Sequence, residues 1–477
     1  MTAPLWTREA LEAATGASAR GEWNAVTGVS IDSRSVEPGD LFVALKDQRD
    51  GHAFVADALK AGAGAALVSR VPEGCGEAAL LVSEDALYAL EGIGAAARDR
   101  MRGRAIAVTG SAGKTSVKEA LRHVLGAQAP THASERSYNN HWGVPLTLAR
   151  MPEGTAYGVF EIGMNHAGEI RPLTKLARPH VAIVTTVAPA HLGNFASERE
   201  IAQAKAEIVE GLVPGGLAIV NRDIPWFDLI AGRAAAQGAR VMGFGQHEAA
   251  EARLLTLSQS SKGAAVEAVI GGVPVLFRLA VAGRHHAMNA LAVLAAAQAV
   301  GADLAKAALA LADWRPGDGR GAVQSLRLDA VDPASAILLI DESYNANPAS
   351  MRAALETLSL AETGVGVAGR RGRRIAVIGD MLELGAGADD LHAGLAEAPE
   401  MGSVDLVFTC GAHSRALHEA LPTGRRGGWA ADSAALATVV AQAVRPGDAV
   451  MVKGSLGSAM ARVVAALKAL PHARRRA

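Results

Sequence analysis

Short apolar runs recur along the chain, and alanine-rich stretches of helical composition separate them. Continuous apolar strands that alternate with helices are typical of parallel sheets covered on both faces. The runs that we interpret as strands are Ala105–Thr109, Gly158–Ile162, Val181–Thr186, Leu217–Asn221, Ile337–Asp341, Ile375–Asp380, Leu406–Cys410 and Ala449–Lys453. The pattern therefore predicts the α/β class, in which ligands bind where the strands end.

Length and punctuation divide the chain into three predicted units. At about 150 residues per domain, a chain of 477 residues is expected to form three domains. A charged stretch at 98–104 precedes one apolar run, and a stretch at 314–321 is rich in Gly and Pro, as a hinge would be. We therefore predict domains at residues 1–103, 104–322 and 323–477.

Composition and charge narrow the class of protein. Lys+Arg 47 against Asp+Glu 48, with 4% aromatic residues, argues against a dedicated nucleic-acid binder. Cys75 and Cys410 stand far apart without a Cys/His cluster, so we expect a cytoplasmic protein without structural zinc. The charged N-terminus does not resemble a signal peptide, and the apolar stretch Ala287–Ala302 is too short to span a bilayer. We expect a cytoplasmic enzyme without a nucleic-acid or membrane partner.

One loop has the pattern of a phosphate-binding site. It consists of Thr109, Gly110, Ser111, Ala112, Gly113, Lys114 and Thr115, and it joins a predicted strand to a helical stretch at Ser116–Leu125. Glycines let successive N–H groups face phosphate oxygens, Lys114 can reach the β- and γ-phosphates, and the Thr115 hydroxyl can bind Mg²⁺. The general Walker pattern has its first Gly where Val108 stands, so this loop is a shortened variant. An ordinary Gly-rich turn is the alternative.

Three more side chains could complete a metal and phosphate site, although each has a simpler explanation. Glu161 closes a predicted strand, where a carboxylate can hold Mg²⁺ or serve only as a helix cap or surface charge. His191 follows another strand, and a lone histidine is more often structural than a ligand. Lys205 lies on a helical stretch, for which a solvated face is the simpler interpretation.

Two turns after predicted strands carry further polar groups. The segment Asp341–Pro348 offers acidic and amide groups that can bond ribose hydroxyls or a base. The segment Lys453–Ser455 could meet an anion. Because Asp, Asn and Pro are common turn residues, a capped turn and a plain turn are the respective alternatives.

These motifs resemble those of the Mur ligases of peptidoglycan synthesis, over nearly the whole chain. The matching segments are Ile31–Ser35, Pro38–Leu45, Thr109–Thr115, Asn139–Asn140, Gly143–Pro145, Glu161–Asn165, His191, Lys205, Gly283–His285, Asn289–Leu291, Gly319–Arg320, Asp341–Pro348, Gly379–Gly385 and Lys453–Ser455. The strings at Asp341–Pro348 and Gly379–Gly385 are similar to those of the members that add D-alanyl-D-alanine to a UDP-muramoyl tripeptide. The short loop is shared by the whole superfamily, including folylpolyglutamate synthases.

The resemblance implies a three-domain, ADP-forming amide ligase that uses ATP and Mg²⁺ and acts through an acyl phosphate. In that family the first domain binds the UDP end of the substrate, the central domain binds ATP, and a Rossmann-like third domain brings the amine. By position, the implied catalytic residues are Lys114, His191, Lys205 and Arg320. The implied metal-binding residues are Thr115, Glu161, His191 and Lys205, the last as an N-carboxylated side chain.

The resemblance also implies the nucleotide and substrate contacts. The implied ATP-binding residues are Thr109, Gly110, Ser111, Ala112, Gly113, Lys114, Thr115, Asn289, Arg320, Asp341 and Asn345. The implied substrate-binding residues are Ser33, Arg34, Asn139 and Asn140. Two positions depart from the family pattern, since His286 stands where Asn is common and Leu456 stands where Arg is usual. We expect a monomer whose partners are small molecules.

Two alternatives stay open. One is another ligase of the same superfamily, which adds a single amino acid to a UDP-muramoyl peptide or glutamate to folate. The segment at 31–45 favours the UDP-sugar over folate. The other alternative is a nucleotide-binding module without turnover, against which the loop, Glu161, His191 and Lys205 all stand in place.

Overall fold

The computed structural model describes residues 4–189, 193–329, 335–365 and 369–473. Within these ranges the strands form three successive sheets of five, nine and six strands, together with a two-stranded ribbon. Parallel pairs dominate the sheets and helices alternate with the strands, so the predicted α/β class is confirmed. In none of the described ranges is a helix both long and apolar enough to cross a membrane.

The N-terminal part of the chain builds the five-stranded sheet. Its elements are β1 (Trp6–Thr7), α1 (Arg8–Thr15), β2 (Ser18–Arg20), β3 (Ala25–Val26), β4 (Gly28–Ser30), β5 (Asp40–Val43), α2 (Val55–Lys60), β6 (Ala65–Val68), β7 (Leu80–Val82) and α3 (Ala86–Arg100). The sheet order is β2-β7-β6-β5-β4, in which β2 alone runs antiparallel to its neighbour. A 3-10 turn at Ser33–Ser35 follows β4 and leaves Arg34 exposed.

The central part builds the nine-stranded sheet. Its elements are β8 (Arg104–Thr109), α4 (Lys114–Gly126), β9 (Thr131–Ala133), α5 (Gly143–Ala149), β10 (Tyr157–Glu161), α6 (Ile170–Ala177), β11 (Val181–Val184), α7 (Glu198–Ala206), β12 (Leu217–Asn221), α8 (Phe227–Ala236), β13 (Arg240–Gly245), β14 (Ala252–Ser260), β15 (Gly263–Ile270), β16 (Val273–Leu279), α9 (Arg284–Ala299) and α10 (Leu304–Leu311). The order is β16-β15-β14-β13-β12-β11-β8-β10-β9. Because β8 is parallel to both β10 and β11, the carboxyl ends of these three strands lie side by side.

The C-terminal part builds the six-stranded sheet. Its elements are β17 (Ala322–Arg327), β18 (Ala336–Glu342), α11 (Pro348–Leu360), β19 (Arg374–Gly379), α12 (Ala388–Ala393), β20 (Leu406–Cys410), α13 (Ser414–Ala420), β21 (Arg426–Ala430), α14 (Ser433–Ala443), β22 (Ala449–Lys453) and α15 (Ala461–Ala473). The order is β17-β18-β22-β19-β20-β21, with only β17 antiparallel. Ser455, which follows β22, connects the ends of three strands. Its Oγ donates to Ala346 O after β18 at 3.2 Å and accepts from Leu382 N after β19 at 2.9 Å.

Alternate residues of β8 enter two different hydrophobic cores. Ala105 and Ala107 face one core while Ile106 and Val108 face the other, and all four are fully buried. Burial on both faces is the reason why the β8 sequence is continuously apolar. The first core also contains Trp6 and other side chains of the N-terminal part, so the first two sheets share one core.

The predicted strand bounds agree with the observed ones to within two residues. The largest departure is β11, which ends at Val184 rather than Thr186, because the last two residues turn toward the loop after β8. Thr185 N donates to Thr109 O at 3.0 Å, and Thr186 O accepts from Ser111 N at 2.8 Å. The ribbon of β14, β15 and β16 was not predicted, because its exposed polar positions interrupt the apolar pattern.

The predicted domain boundaries fall close to element ends. The one before residue 104 coincides with the start of β8, whereas the one after residue 322 falls inside β17. Pairing begins earlier than the composition indicates, since Gly321 N already donates to Asp341 O at 2.8 Å. The division into three domains stays a prediction.

Trp6 fastens the N-terminal part to the central sheet, which generates a stability prediction. Its side chain is 3% exposed, its Nε1 donates to Ala149 O at 2.8 Å, and the Arg100 guanidinium lies 3.6 Å from the ring centroid. We expect Trp6→Ala to lower the free energy of unfolding by about 3–5 kcal/mol in urea titrations, because it leaves a cavity. Tyr88→Ala removes a ring that is 72% exposed and should cost less than about 0.5 kcal/mol. Equal costs for the two variants would contradict this.

Candidate active site

The loop between β8 and α4 has the backbone geometry of a phosphate-binding loop. Gly110 and Gly113 have φ values of 152° and 85°. A Cβ at Gly110 would collide with Thr185 Oγ1, and one at Gly113 would lie 2.9 Å from Asn289 Oδ1, so glycine permits both close approaches. Helix α4 begins at Lys114, and the N–H groups of its first turn have no intrahelical partner, which leaves them available to an anion.

The first half of the loop is fixed by neighbouring backbone, and the second half faces a cavity. The backbone N–H of Ser111 is used by Thr186 O, and its Oγ donates to the carbonyl of residue 188 at 3.0 Å. The segment Ser111–Thr115 lines a cavity of about 510 Å³. Thr109 and Gly110 do not line that cavity, and Thr109 is fully buried.

Two lysines of the central part are shielded from water to different degrees, since Lys114 is half-buried at the cavity and Lys205 is almost fully buried. Lys114 Nζ donates to Gly110 O at 2.7 Å, and burial lowers the pKa of Lys114, with Glu161 opposing and Arg320 adding to the effect. Lys205 on α7 is 2% exposed. Burial lowers the pKa of Lys205 well below its usual range, and the charge of Lys114 lowers it further. A solvated helix face is therefore the wrong interpretation of Lys205.

Glu161 ends β10 and meets the phosphate loop directly. Its carboxylate is buried, accepting from Thr115 Oγ1 at 2.8 Å and from Asn139 Nδ2 at 2.7 Å. Among the residues that the structure describes, no Lys, Arg or His nitrogen forms an ion pair with it. A buried carboxylate that forms no ion pair and lies next to a hydroxyl fits a Mg²⁺ site, because Mg²⁺ takes few protein oxygens and fills its shell with water and phosphate. Groups of three or more His, Cys, Asp or Glu suited to a metal are absent from the described ranges.

Ser137 links the phosphate loop to the chain that leads into the third sheet. Its Oγ accepts from an Arg320 guanidinium nitrogen at 2.8 Å and lies 3.4 Å from Thr115 Oγ1. The same guanidinium lies 3.8 Å from the centroid of the Tyr344 ring. Arg320 is thus oriented toward the loop from two sides, and all four side chains line the cavity.

The third sheet contributes a buried ion pair to the cavity. Lys453, which is 2% exposed, has its Nζ 3.2 Å from Glu342 Oε2 and donates to Asn345 O at 2.9 Å. Asn345 and Glu342 line the cavity. Asp341 does not line it, because its carboxylate turns back to accept from Ser343 N and Oγ at 3.1 and 2.6 Å.

One further bond crosses from the third sheet to the phosphate loop. Asn347 caps α11, and its Nδ2 donates to Ser111 O at 3.1 Å. The side chain therefore serves its own helix and the loop of the central part at the same time. The capped-turn interpretation of the segment Asp341–Pro348 is correct for Asp341 and Asn347. Asn347 also lines the cavity, together with Glu342, Tyr344 and Asn345.

Two histidines, the half-buried His285 and the buried His286, begin α9 beside Asn289, a predicted ATP-binding residue. The ring centroids of His285 and His286 lie 4.0 Å apart, and the Nδ1 atoms of both have no hydrogen-bond partner among the described residues. Burial lowers the pKa of His285 to about 4, with Lys453 adding to the effect, and it lowers the pKa of His286 well below its usual range. Asn289, one turn along the helix, lines the same cavity.

The predicted substrate residues are not all gathered at the cavity. Asn139 lines it, whereas Asn140 accepts from Gly143 N at 2.9 Å at the start of α5. Ser33 and Arg34 lie on the N-terminal sheet, where Arg34 donates two hydrogen bonds to Asp32 at 2.9 and 2.7 Å. That guanidinium lowers the pKa of Asp32 to about 2. The prediction for His191 falls outside the described residues.

Several cavity residues were not predicted individually as site residues, although Glu342, Tyr344 and Asn347 lie in the segment Asp341–Pro348 that was expected to offer polar groups. They are Ser137, Asn221, Glu342, Tyr344 and Asn347, with His285, His286 and Arg284 at the start of α9. Asn221 ends β12, a predicted strand, and its position at a carboxyl edge is a signal that could have found it. Ser137 has no comparable signal, because it reaches the site from an irregular segment.

The sheets, the loop and the cavity define an α/β protein of the phosphate-loop class, and comparisons with known proteins specify it further. Residues 25–87 match the Mur ligase family catalytic domain, residues 108–297 match the Mur ligase middle domain, and residues 326–456 match the Mur ligase glutamate ligase domain. The chain belongs to the Mur ligase family. The resemblance found in its motifs is thereby confirmed, and the chain is a ligase.

Individual relatives align with the chain over most of its length. The UDP-N-acetylmuramoyl-tripeptide–D-alanyl-D-alanine ligase of Escherichia coli (strain K12) is 37% identical over 457 residues, which are 92% of this chain and 93% of that protein. The ligase of the same name from Bacillus subtilis (strain 168) is 35% identical over 399 residues, 83% of this chain and 82% of the relative. A crystal structure of MurF from Acinetobacter baumannii superposes with a TM-score of 0.83 at 30% identity, covering 98% of this chain and 100% of that one.

The lowered pKa of His285 predicts how the free energy of unfolding changes with pH. The folded-state pKa of His285, about 4, lies below its value of 6.5 in an unfolded chain, so the unfolded chain binds more protons between these values. Stability contributed by neutral His285 is therefore lost as the pH falls below 6.5. Between pH 6.5 and 5.5, the free energy of unfolding should fall by about 1 kcal/mol less in His285→Gln than in the wild-type protein, as measured in urea titrations. His141→Gln, at an exposed histidine, is the control, and equal pH dependence in both variants would contradict the prediction.

Proposed function

We propose that this ligase joins D-alanyl-D-alanine to UDP-N-acetylmuramoyl-tripeptide at the expense of ATP, in the synthesis of peptidoglycan precursors. The observation that carries the proposal is the cavity where the phosphate loop, the buried Glu161 carboxylate and Arg320 face polar groups of the third sheet. The relatives of that name, which align over most of both chains, support the choice of substrates.

The proposed reaction converts a poor acyl donor into a good one. A carboxylate resists attack, because its charge is delocalised and its oxygen is a poor leaving group. A carboxylate oxygen of the tripeptide attacks the γ-phosphorus of ATP, the bond to the bridging oxygen breaks, and ADP leaves. The amine of the dipeptide then attacks the acyl carbon, phosphate leaves, and the nitrogen gives up its proton.

The chain's own residues would align and neutralise the phosphates. Phosphoryl transfer depends mainly on positioning and on electrostatic stabilisation. Lys114 and Arg320 supply two cations, and the N–H groups at the start of α4 supply donors without moving. Asn289 and Asn345 are the further nucleotide contacts that we propose, whereas the Asp341 carboxylate is turned away from the cavity. Cations already in place also stabilise the oxyanion that forms when the amine attacks.

Thr115 and Glu161 are the residues that would hold Mg²⁺. His191 is proposed for a second ion on the strength of the family resemblance alone. When bound, Mg²⁺ supplies positive charge that offsets the charge on the phosphate oxygens. Asn139 and Thr115 keep the Glu161 carboxylate hydrogen-bonded and directed at the loop.

We propose that each of the three parts of the chain binds a different substrate. Residues 1–103 bind the UDP end of the substrate, with Ser33 and Arg34 as contacts and Asn139 and Asn140 added from the central domain. Residues 104–322 bind ATP, and residues 323–477 bring the amine. The proposed enzyme is a cytoplasmic monomer whose partners are small molecules.

Release of phosphate from ATP by the purified protein tests the proposal. We expect release with UDP-N-acetylmuramoyl-tripeptide and D-alanyl-D-alanine together, and a product whose mass is the sum of the two less one water. Single amino acids with UDP-muramoyl peptides, and glutamate with folate, should give little release. Release with one of these pairs but not with the dipeptide would overturn the substrate assignment, and no release in any mixture would indicate a non-catalytic module.

Lys114→Ala tests the role of the loop lysine. We expect phosphate release to fall about 100-fold or more, because a cation fixed at the developing charge is lost. Lys175→Ala on α6 is the control, since Lys175 is exposed and outside the cavity. Full activity in Lys114→Ala, with an unchanged melting temperature, would remove Lys114 from the catalytic residues.

A second prediction concerns the N-carboxylated form of Lys205, a carbamate in which CO₂ has added to the side-chain amine. A neutral Lys205 amine can attack CO₂, form an N–C bond and lose a proton, which creates a carboxylate in the same place. Activity lost in Lys205→Ala should therefore return in part when short-chain carboxylic acids such as acetate are added. The same acids should leave wild-type protein unaffected. Without any rescue, Lys205 would have a structural role only.

A further inference from the structure

Lys118 is a fully buried lysine on α4, one turn beyond the phosphate loop. Its side chain is 0% exposed, its Nζ donates to Ser134 O at 2.6 Å, and the same atom lies 2.6 Å from Glu119 Oε1 and 3.5 Å from Arg136 O. A buried ammonium is costly unless it is paired and hydrogen-bonded. Lys118 meets that condition, because its ammonium pairs with Glu119 and donates hydrogen bonds to backbone carbonyls that follow β9.

The backbone that accepts hydrogen bonds from Lys118 leads directly into the candidate active site. We call residues 134–139 the anchored segment. Within it, Ser137 receives the Arg320 guanidinium and Asn139 donates to Glu161. At its far end, Asn139 O accepts from Gly163 N at 2.8 Å. Two side chains of this one segment thus touch both the proposed metal carboxylate and the proposed phosphate-binding arginine.

Little else holds the start of the anchored segment. Strand β9 ends at Ala133, and in the described part of the chain the hydrogen bonds from other elements to residues 134–136 all come from Lys118. Arg136 itself is exposed. The stretch that leads into Ser137 is therefore held by a side chain that does not reach the cavity.

We propose that Lys118 is a positioning residue for the ligase reaction, holding the anchored segment so that Ser137 meets Arg320 and Asn139 meets Glu161. The proposal rests on the proposed function for the identity of the nucleotide. Without Lys118 two backbone carbonyls lose their donor, the segment moves, and the carboxylate and the arginine lose their alignment. Lys118 does not line the cavity, so it acts only through the segment.

A matched pair of variants separates this role from helix stability. Lys118→Met keeps the length and burial of the side chain, and Glu119 keeps a partner in Arg122, whose Nε lies 2.8 Å away. Arg122→Met is the control, because it removes the exposed partner of the same carboxylate and leaves Lys118 in place. Both variants thus retain one ion pair at Glu119, and only one releases the anchored segment.

The first measurement is site-resolved trypsin cleavage without any ligand. We expect cleavage after Arg136 to accelerate about tenfold in Lys118→Met, relative to cleavage after the exposed Arg49, and to stay at the wild-type rate in Arg122→Met. If Lys118→Met does not fold, wild-type protein still decides the question. Cleavage after Arg136 as fast as after Arg49 in wild-type protein would overturn the proposal.

The second measurement is ADP binding by calorimetry, with Mg²⁺ and with EDTA. In Lys118→Met we expect the Kd for ADP with Mg²⁺ to rise about tenfold, since the residues around Glu161 lose alignment, and the Kd in EDTA to change less than about threefold. A merely structural role would lower the melting temperature and move both constants equally or not at all, which would overturn the proposal. Neither measurement uses the dipeptide, so a wrong substrate assignment would leave both results intact.

Discussion

Positive charge buried around one loop constrains the whole site. Lys118, Lys205 and Lys453 are each 2% exposed or less in a chain whose formal net charge is −1. Water cannot solvate these amines, so the fold must provide for each of them. Lys118 and Lys453 meet carboxylates and carbonyls, while burial lowers the pKa of Lys205 and favours its neutral form. Of these three amines only Lys453 lines the cavity, while Lys118 and Lys205 lie behind it on α4 and α7.

The cavity exists because strand ends from two sheets face each other. β8, β10 and β11 end at the phosphate loop, Glu161 and the threonines beside it, and β18 and β22 end at Glu342 and Lys453. Arg320 lies on the connection between the sheets, and the flanking Gly319 and Gly321 have φ values of 73° and 103°. Backbone that only glycine adopts readily suits a hinge, and closure there would exclude water from an acyl phosphate.

Much of the fold and the phosphate loop could be predicted, because the residues that determine them are close together in the sequence. Apolar runs located the strands of all parallel pairs around β8, since burial on both faces leaves a continuous signal. The phosphate loop was readable because its glycines, lysine and threonine act within a few residues of one another. The strands of the N-terminal sheet were not predicted, because each is only three or four residues long. The ribbon of β14, β15 and β16 was not predicted, because its exposed faces mix polar and apolar residues.

The sequence by itself determined the fold class, the phosphate loop and, through its motifs, the family. Only the tertiary structure decided that Lys205 is buried, that Asp341 turns back to cap its own turn, and that Ser137 and Lys118 serve the site. The physical reason is range. Strand and loop propensities act between neighbours in sequence, whereas burial, desolvation and the contact of Arg320 with Ser137, 183 positions apart, arise only when distant elements pack together.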